Sequence, residues 1–180
     1  MSTAEFLTDQ GAERLPDALR DEILDLSAHE AHPRAACIEA LQRVQREFRW
    51  VSDAHLREVA GLLGMSAADL DGVATYFNLI FRRPVGRRVL LLCDSVSCWL
   101  MGRERLEAHL RQRLGIRPGQ TTADGDVTLL PTVCLGHCDH APALMLGDEL
   151  HGDVDEQRMD AILGLPPEAE RMGLRPEAAK

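Results

Sequence analysis

A helical bundle followed by a small mixed α/β domain is the architecture this sequence predicts, and three observations predict it. Apolar residues recur at helical spacing from Leu15 to about Phe81. Beyond Arg83-Pro84 the pattern changes to short, continuous apolar runs, the first of them "RRVLLL". Two amphipathic stretches, "GRERLEAHLRQRLGI" and "DVDEQRMDAILG", are interleaved with those runs. The 180 residues are 45% hydrophobic and 27% charged, which suits a globular chain with a real core. Aromatic residues make up only 4%, so that core must be built from Leu, Val, Ile and Ala.

The elements follow in order. Leu15, Leu19, Ile23 and Leu26 form one helical stripe, ended near His32-Pro33. Cys37, Leu41, Val44 and Phe48 form a second, in which Cys37 acts as a small hydrophobe and belongs to no site. Ser52 is placed to cap a third helix carrying Leu56, Val59, Leu62 and Leu63 and stopping at Gly64. Ser66 and Asp69 make an S-x-x-D start for a fourth, with Leu70, Val73 and Phe77 inward. "RRVLLL" then reads as a buried strand, and a helix with Leu106, Leu110 and Leu114 inward ends at Gly115. A D-G turn precedes the strand in "DGDVTLLPTV". "ALMLG" and "ELHGD" make a hairpin through Gly147-Asp148, and a last helix closes the domain. The order β-α-β-β-β-α, with helices able to cover the sheet, indicates a small α/β domain of thioredoxin-like type. The expected organisation is a helical bundle over 1–84, the α/β domain over 85–165 and a mobile tail over 166–180.

Charge narrows the function. A net charge of −9 repels phosphate backbones and anionic lipid surfaces, so nucleic acid is not the expected partner. No apolar run approaches the roughly 18 residues that span a bilayer, and the N-terminus lacks the apolar core of a signal peptide. A cytoplasmic protein without direct membrane insertion is expected. "HLREVAGLLGMSAADLDGVATYF" has a helix-turn-helix look, and with a metal cluster would make an iron–sulfur regulator. Its would-be recognition helix, however, carries Asp69 and Asp71 and no Lys or Arg, so two packed bundle helices are the preferred account. The basic stretch "FRRPVGRR" reads as a solvated linker, with contact to an acidic partner surface as the lesser option.

The remaining four cysteines carry the chemistry. Cys93 and Cys98 are spaced C-x4-C, Cys134 and Cys138 C-x3-C. Cys93 ends the first strand, Cys98 precedes the helix, Cys134 ends the second long strand and Cys138 sits in the loop after it. If those strands are parallel neighbours, all four thiols meet at one end of the sheet. Sulfur-only ligation suits zinc or an iron–sulfur cluster. Pairs this wide favour a [2Fe–2S] rhomb with two cysteines per iron, while zinc and a pair of disulfides stay open. A thioredoxin-type dithiol would need C-x-x-C, which is absent. Gly136 can turn a backbone N–H toward sulfur, and Asp94 and Asp139 add negative charge that lowers a cluster's potential. His137 and His140 admit a Rieske-like set but read as polar loop residues, since four cysteines are already present. Pro142 makes a rigid turn after the loop, and Trp99 either shields the site, meets a partner or simply packs.

"PVGRRVLLLCDSVSCWLMG" and "DVTLLPTVCLGHCDHAPALML" closely resemble the thioredoxin-like [2Fe–2S] subunit of NADH:quinone oxidoreductase, respiratory complex I, known in the bacterial enzyme as its E subunit. The likeness includes the helical extension "PRAACIEALQRVQREFRW" onward and departs only after Gly164. It implies one [2Fe–2S] cluster on Cys93, Cys98, Cys134 and Cys138. It also implies a neighbouring subunit that binds FMN and NADH, further peripheral-arm iron–sulfur subunits, and a place at the cytoplasmic face of the inner membrane. The chain itself carries no G-x-G-x-x-G, so a partner must take the hydride and pass on single electrons. The cluster would then serve as a redox group without catalysis of its own, off the main line of electron flow. Alternatives are the equivalent subunit of an NAD-linked formate dehydrogenase or NAD-reducing hydrogenase, and a free ferredoxin, which would not need the helical half.

Overall fold

The computed structural model describes residues 14–166. The expected tail over 166–180 therefore lies, beyond Pro166, outside the described residues. The chain forms two compact units, one up to Arg87 together with Ala123–Asp126, the other from Arg88 onward without that turn.

The first unit is helical: α1 (Asp17–Ala28), a 3₁₀ turn (Pro33–Ala36), α2 (Cys37–Phe48), α3 (Asp53–Leu62) and α4 (Ala67–Tyr76). The stripes read from the sequence face one another. Ile23, Leu41, Val44, Val59 and Leu70 are wholly inaccessible, and Cys37 packs half-buried against them as a small apolar group. Burial of this kind is worth about 1.5–3 kcal/mol for each large side chain, which is what holds helices this short. Ser52 Oγ accepts the His55 N–H at 3.1 Å, and Ser66 Oγ accepts that of Asp69 at 3.0 Å while donating to its carboxylate. Gly64 takes the left-handed conformation (φ 64°) that stops α3.

Phe77 corrects the expected stripe. The helix ends at Tyr76, Phe77 is extended (φ −90°, ψ 107°) and its ring is 39% exposed, because a side chain past the last turn leaves the helical face. The basic stretch is also more internal than a solvated linker. Arg82 reaches Asp71 at 2.8 Å, Asp53 at 2.7 Å and the Val51 carbonyl, so the acid on α4 serves as a staple of the bundle. Arg87 pairs with Asp126 at 3.2 Å, and Arg88, in the second unit, donates to the Leu163 carbonyl.

The second unit is a five-stranded sheet in the order β2-β3-β1-β4-β5, built from β1 (Arg88–Cys93), β2 (Gln120–Thr121), β3 (Val127–Thr132), β4 (Leu144–Leu146) and β5 (Glu149–His151). β1 is central and parallel to β3, from Arg88 opposite Val127 to Cys93 opposite Thr132. β4 is antiparallel to β1 and forms the expected hairpin with β5 through Gly147-Asp148. Between β1 and β2 lie α5 (Val96–Leu100) and α6 (Arg103–Leu114), and α7 (Glu156–Leu163) closes the unit. Leu90, Leu92, Leu106, Leu110, Leu129, Leu144 and Met159 share one core.

Two elements go beyond the sequence reading. β2 is two residues long, and the Asp124-Gly125 turn joins it to β3 instead of merely opening a strand. α5 is a short helix of its own, so Cys98 lies inside a helix that precedes the expected one. A five-residue helix is too brief to show a period.

One buried ion cluster ties α6 to α7. Asp160 Oδ1 lies 2.7 Å from His109 Nε2 and 3.2 Å from Arg113 Nε, and the Arg113 side chain is only 2% exposed. Replacing Asp160 by Ala strands that guanidinium without its anion. The expected cost is about 3–5 kcal/mol in the urea unfolding of the metal-free chain, with a smaller loss for the Asp160→Ala/Arg113→Met double variant.

Candidate metal centre

The parallel pairing of β1 and β3 settles where the cysteines go. Because Cys93 is level with Thr132, the segment after β1 and the segment after β3 leave the sheet at the same end. The Asp94 N–H donates to the Thr132 carbonyl at 2.8 Å and extends the ladder one step further. β4 begins at Leu144 opposite Leu92, so the loop from Val133 to Ala143 starts and finishes at that end too. The Cys93 N–H donates to the Ala143 carbonyl at 3.2 Å.

The four sulfurs fall into two pairs with different surroundings. Cys93, at the end of β1, and Cys98, inside α5, are each 1% exposed and share a small apolar cluster with Ala141 and Ala143, flanked by Leu135. Cys134 and Cys138 are exposed, with their Sγ atoms 3.3 Å apart. Gly136, at φ 77°, turns its N–H to donate to Cys134 Sγ at 3.4 Å, a position that suits glycine. Cys138 opens a 3₁₀ turn running to His140 and also meets the Ser97 side chain, which brings the second pair against the first.

Protonation follows from these contacts. Burial pushes the Cys93 thiol up, but hydrogen bonds with the Ser95 hydroxyl and the Leu135 and Ser95 backbone outweigh it and hold the thiol below its ordinary range. Burial raises the Cys98 thiol, and the neighbouring Cys93 adds to the rise. Cys138 is raised chiefly by the hydrogen bond it shares with Cys134. Four thiolates this close repel one another unless a cation compensates them, which is the condition a coordinated metal supplies.

The arrangement fits a [2Fe–2S] group. Two pairs of sulfurs can each hold one iron of such a group. The donors are sulfur alone, and one already receives an amide hydrogen bond.

The two histidines of this loop lie against each other. Their rings stack at 4.7 Å, and His140 Nδ1 lies 2.7 Å from Asp153 Oδ2, which with Asp139 raises the imidazole above its usual range. Asp94 does not stand alone, since Arg103 lies 3.4 Å away and offsets part of its charge. Trp99 is 53% exposed with its N–H on Glu104, so burial in a core does not account for it. Val96, Leu100, Met101 and Val133 are each more than 60% exposed, giving the site an apolar rim. Ser95, Ser97 and Asp153 gave no signal in the sequence, because polar residues in loops look alike until the fold places them.

Comparison with known proteins agrees with the geometry. The family model described as thioredoxin-like [2Fe-2S] ferredoxin matches residues 22–165. The E subunit of the NADH-quinone oxidoreductase of Pseudomonas aeruginosa is 51% identical over 130 residues, covering 70% of this chain and 78% of that protein. Its counterpart in Escherichia coli is 46% identical over 139 residues, covering 75% and 84%. The crystal structure of an NAD+-reducing [NiFe]-hydrogenase in its H2-reduced state shares the fold, with a TM-score of 0.62 at 23% identity over 78% of this chain and 23% of the hydrogenase chain. The chain belongs to the thioredoxin-like [2Fe-2S] ferredoxin family and, within it, groups with the E subunits of NADH-quinone oxidoreductase.

The unequal burial of the pairs sets an order of reaction. In the reduced, metal-free chain, iodoacetamide should label Cys134 and Cys138 well before Cys93 and Cys98, as followed by peptide mass spectrometry. Early labelling of Cys93 would show that its lowered thiol outweighs its inaccessibility.

Proposed function

We propose that this chain is the electron-transfer E subunit of an NADH-quinone oxidoreductase, with one [2Fe–2S] cluster on Cys93, Cys98, Cys134 and Cys138. The observation that carries the reading is the meeting of both cysteine pairs at one end of the sheet, where β1 and β3 run parallel. Identity near one half to E subunits supports the choice of complex. The likeness to the hydrogenase supports only a common fold, so the equivalent hydrogenase subunit is the weaker reading.

Bound there, a [2Fe–2S] group accepts and releases one electron at a time. The chain's own residues hold and tune it. Cys93 and Cys98 anchor one side from rigid elements, and Ala141, Ala143 and Leu135 keep water from those sulfurs. Gly136 donates an N–H to Cys134, which stabilises added negative charge on sulfur. Hydride chemistry needs a flavin and a dinucleotide site, so the reading includes a partner that binds NADH and FMN. This subunit then has a redox role without catalysis of its own. The apolar rim around the site supports docking at that end. We assign the cluster to the α/β domain over residues 85–165, which follows the helical bundle over residues 1–84. No helix among the described residues is long and apolar enough to cross a membrane. Attachment through further iron–sulfur subunits at the cytoplasmic face of the inner membrane is consistent with that.

Anaerobic iron and sulfide analysis, with EPR after dithionite reduction, tests the reading. Two irons and two sulfides per chain with a rhombic S = 1/2 signal are expected; bound zinc, or no iron after reconstitution, overturns it. Changing any one of the four cysteines to Ala should abolish or degrade the cluster, and full iron and sulfide in such a variant would remove that residue from the ligand set.

A further inference from the structure

We propose that Gly152 is a positioning residue for Cys138, acting through His137 and His140; the inference rests on the cluster reading above. Gly152 follows β5 and is buried, yet its backbone does not have the positive φ that would call for glycine. What calls for glycine is space. A Cβ at this position would stand 2.5 Å from His140 Cβ and 2.6 Å from His137 Cδ2 and Nε2. Real Cβ atoms do not tolerate such distances, and His140 Cβ cannot swing away as the end of a flexible chain could.

The two histidines flank Cys138, one immediately before it and one two residues after. Beyond Gly152 the chain clamps the same loop, for the Asp153 N–H donates to the His140 carbonyl at 2.7 Å and the Val154 N–H to the Pro142 carbonyl at 3.1 Å. The Asp153 carboxylate adds its bond to His140 Nδ1. The loop is therefore pinned from below at both backbone and side chain, and the steric demand of a methyl group at position 152 falls on residues 137–140, which lift to admit it. Cys138 moves with them, away from Cys134 and from the buried pair. Glycine at 152 sets how deeply Cys138 sits.

The test compares the full-length wild type with Gly152→Ala, each alone and in a His137→Ala/His140→Gly background that removes the atoms the methyl meets. After anaerobic reconstitution, iron and sulfide content, EPR g-values and midpoint potential are measured, with far-UV circular dichroism of the metal-free chains as the folding control. Gly152→Ala should keep the metal-free fold and lose iron and sulfide, or shift the g-values and potential. The same change in the double-histidine background should do markedly less. If Gly152→Ala fails to fold but folds in that background, the coupling through the histidines still stands. An unaltered spectrum, potential and iron content in a loaded Gly152→Ala overturns the proposal, as does an equal defect, misfolding included, in both backgrounds. A wild type that takes up no iron overturns the cluster reading and this proposal with it, whereas the other negative outcomes leave the cluster reading intact.

Discussion

The parallel pairing of β1 with β3 is the constraint on which the site depends. Each cysteine pair is local in sequence, and no local preference brings residue 93 near residue 134. The ladder does so by setting Cys93 level with Thr132, so that both chains leave the sheet in the same direction at the same height. Had the strands been antiparallel, the segments that follow them would lie at opposite ends, several strand residues apart. A parallel pair needs a crossover, and α5 and α6 supply it. Cys98 rides on the first turn of that crossover, so the connection the topology demands also carries one of the four cysteines.

Rigidity is distributed unequally across the site. Cys93 and Cys98 belong to regular elements whose positions are fixed by the core, and both are inaccessible. Cys134 and Cys138 sit on a loop whose conformation is fixed by hydrogen bonds: Gly136 to Cys134, Asp153 to His140 and Val154 to Pro142. Ordering a loop costs about 1–2 kcal/mol for each residue, and bonds of this kind return about 1 kcal/mol each. The exposed half of the site therefore rests on individual hydrogen bonds, while the buried half rests on the packing of the core.

Much of this was legible in the sequence because it is written in local rules. Ser52 and Ser66 cap where hydroxyl spacing placed them, and Gly64 and Gly115 stop helices where an αL residue was needed. The hairpin through Gly147-Asp148 followed from turn chemistry, whereas the parallel pairing of β1 and β3 entered the sequence reading only as a condition, which the structure meets. What escaped was short or relational. β2 has two residues and α5 five, too few to show a period. Phe77 kept the helical spacing after the helix had stopped, and spacing alone cannot report that end. The internal use of Arg82 depended on which acids the bundle would bring near it, and a string of basic residues does not contain that information.

Gly152 shows the same limit in its sharpest form. A glycine between His151 and Asp153 reads as a turn residue, and loop glycines are usually explained by positive φ. Here φ is not positive, and the restriction comes from two imidazoles brought up from a loop twelve to fifteen positions earlier. The spacing C-x3-C names the candidate sulfurs, but on the proposed reading the depth at which Cys138 sits is decided by a residue with no side chain. A site of this kind is specified by what must be present at the sulfurs and, equally, by what must be absent beneath them.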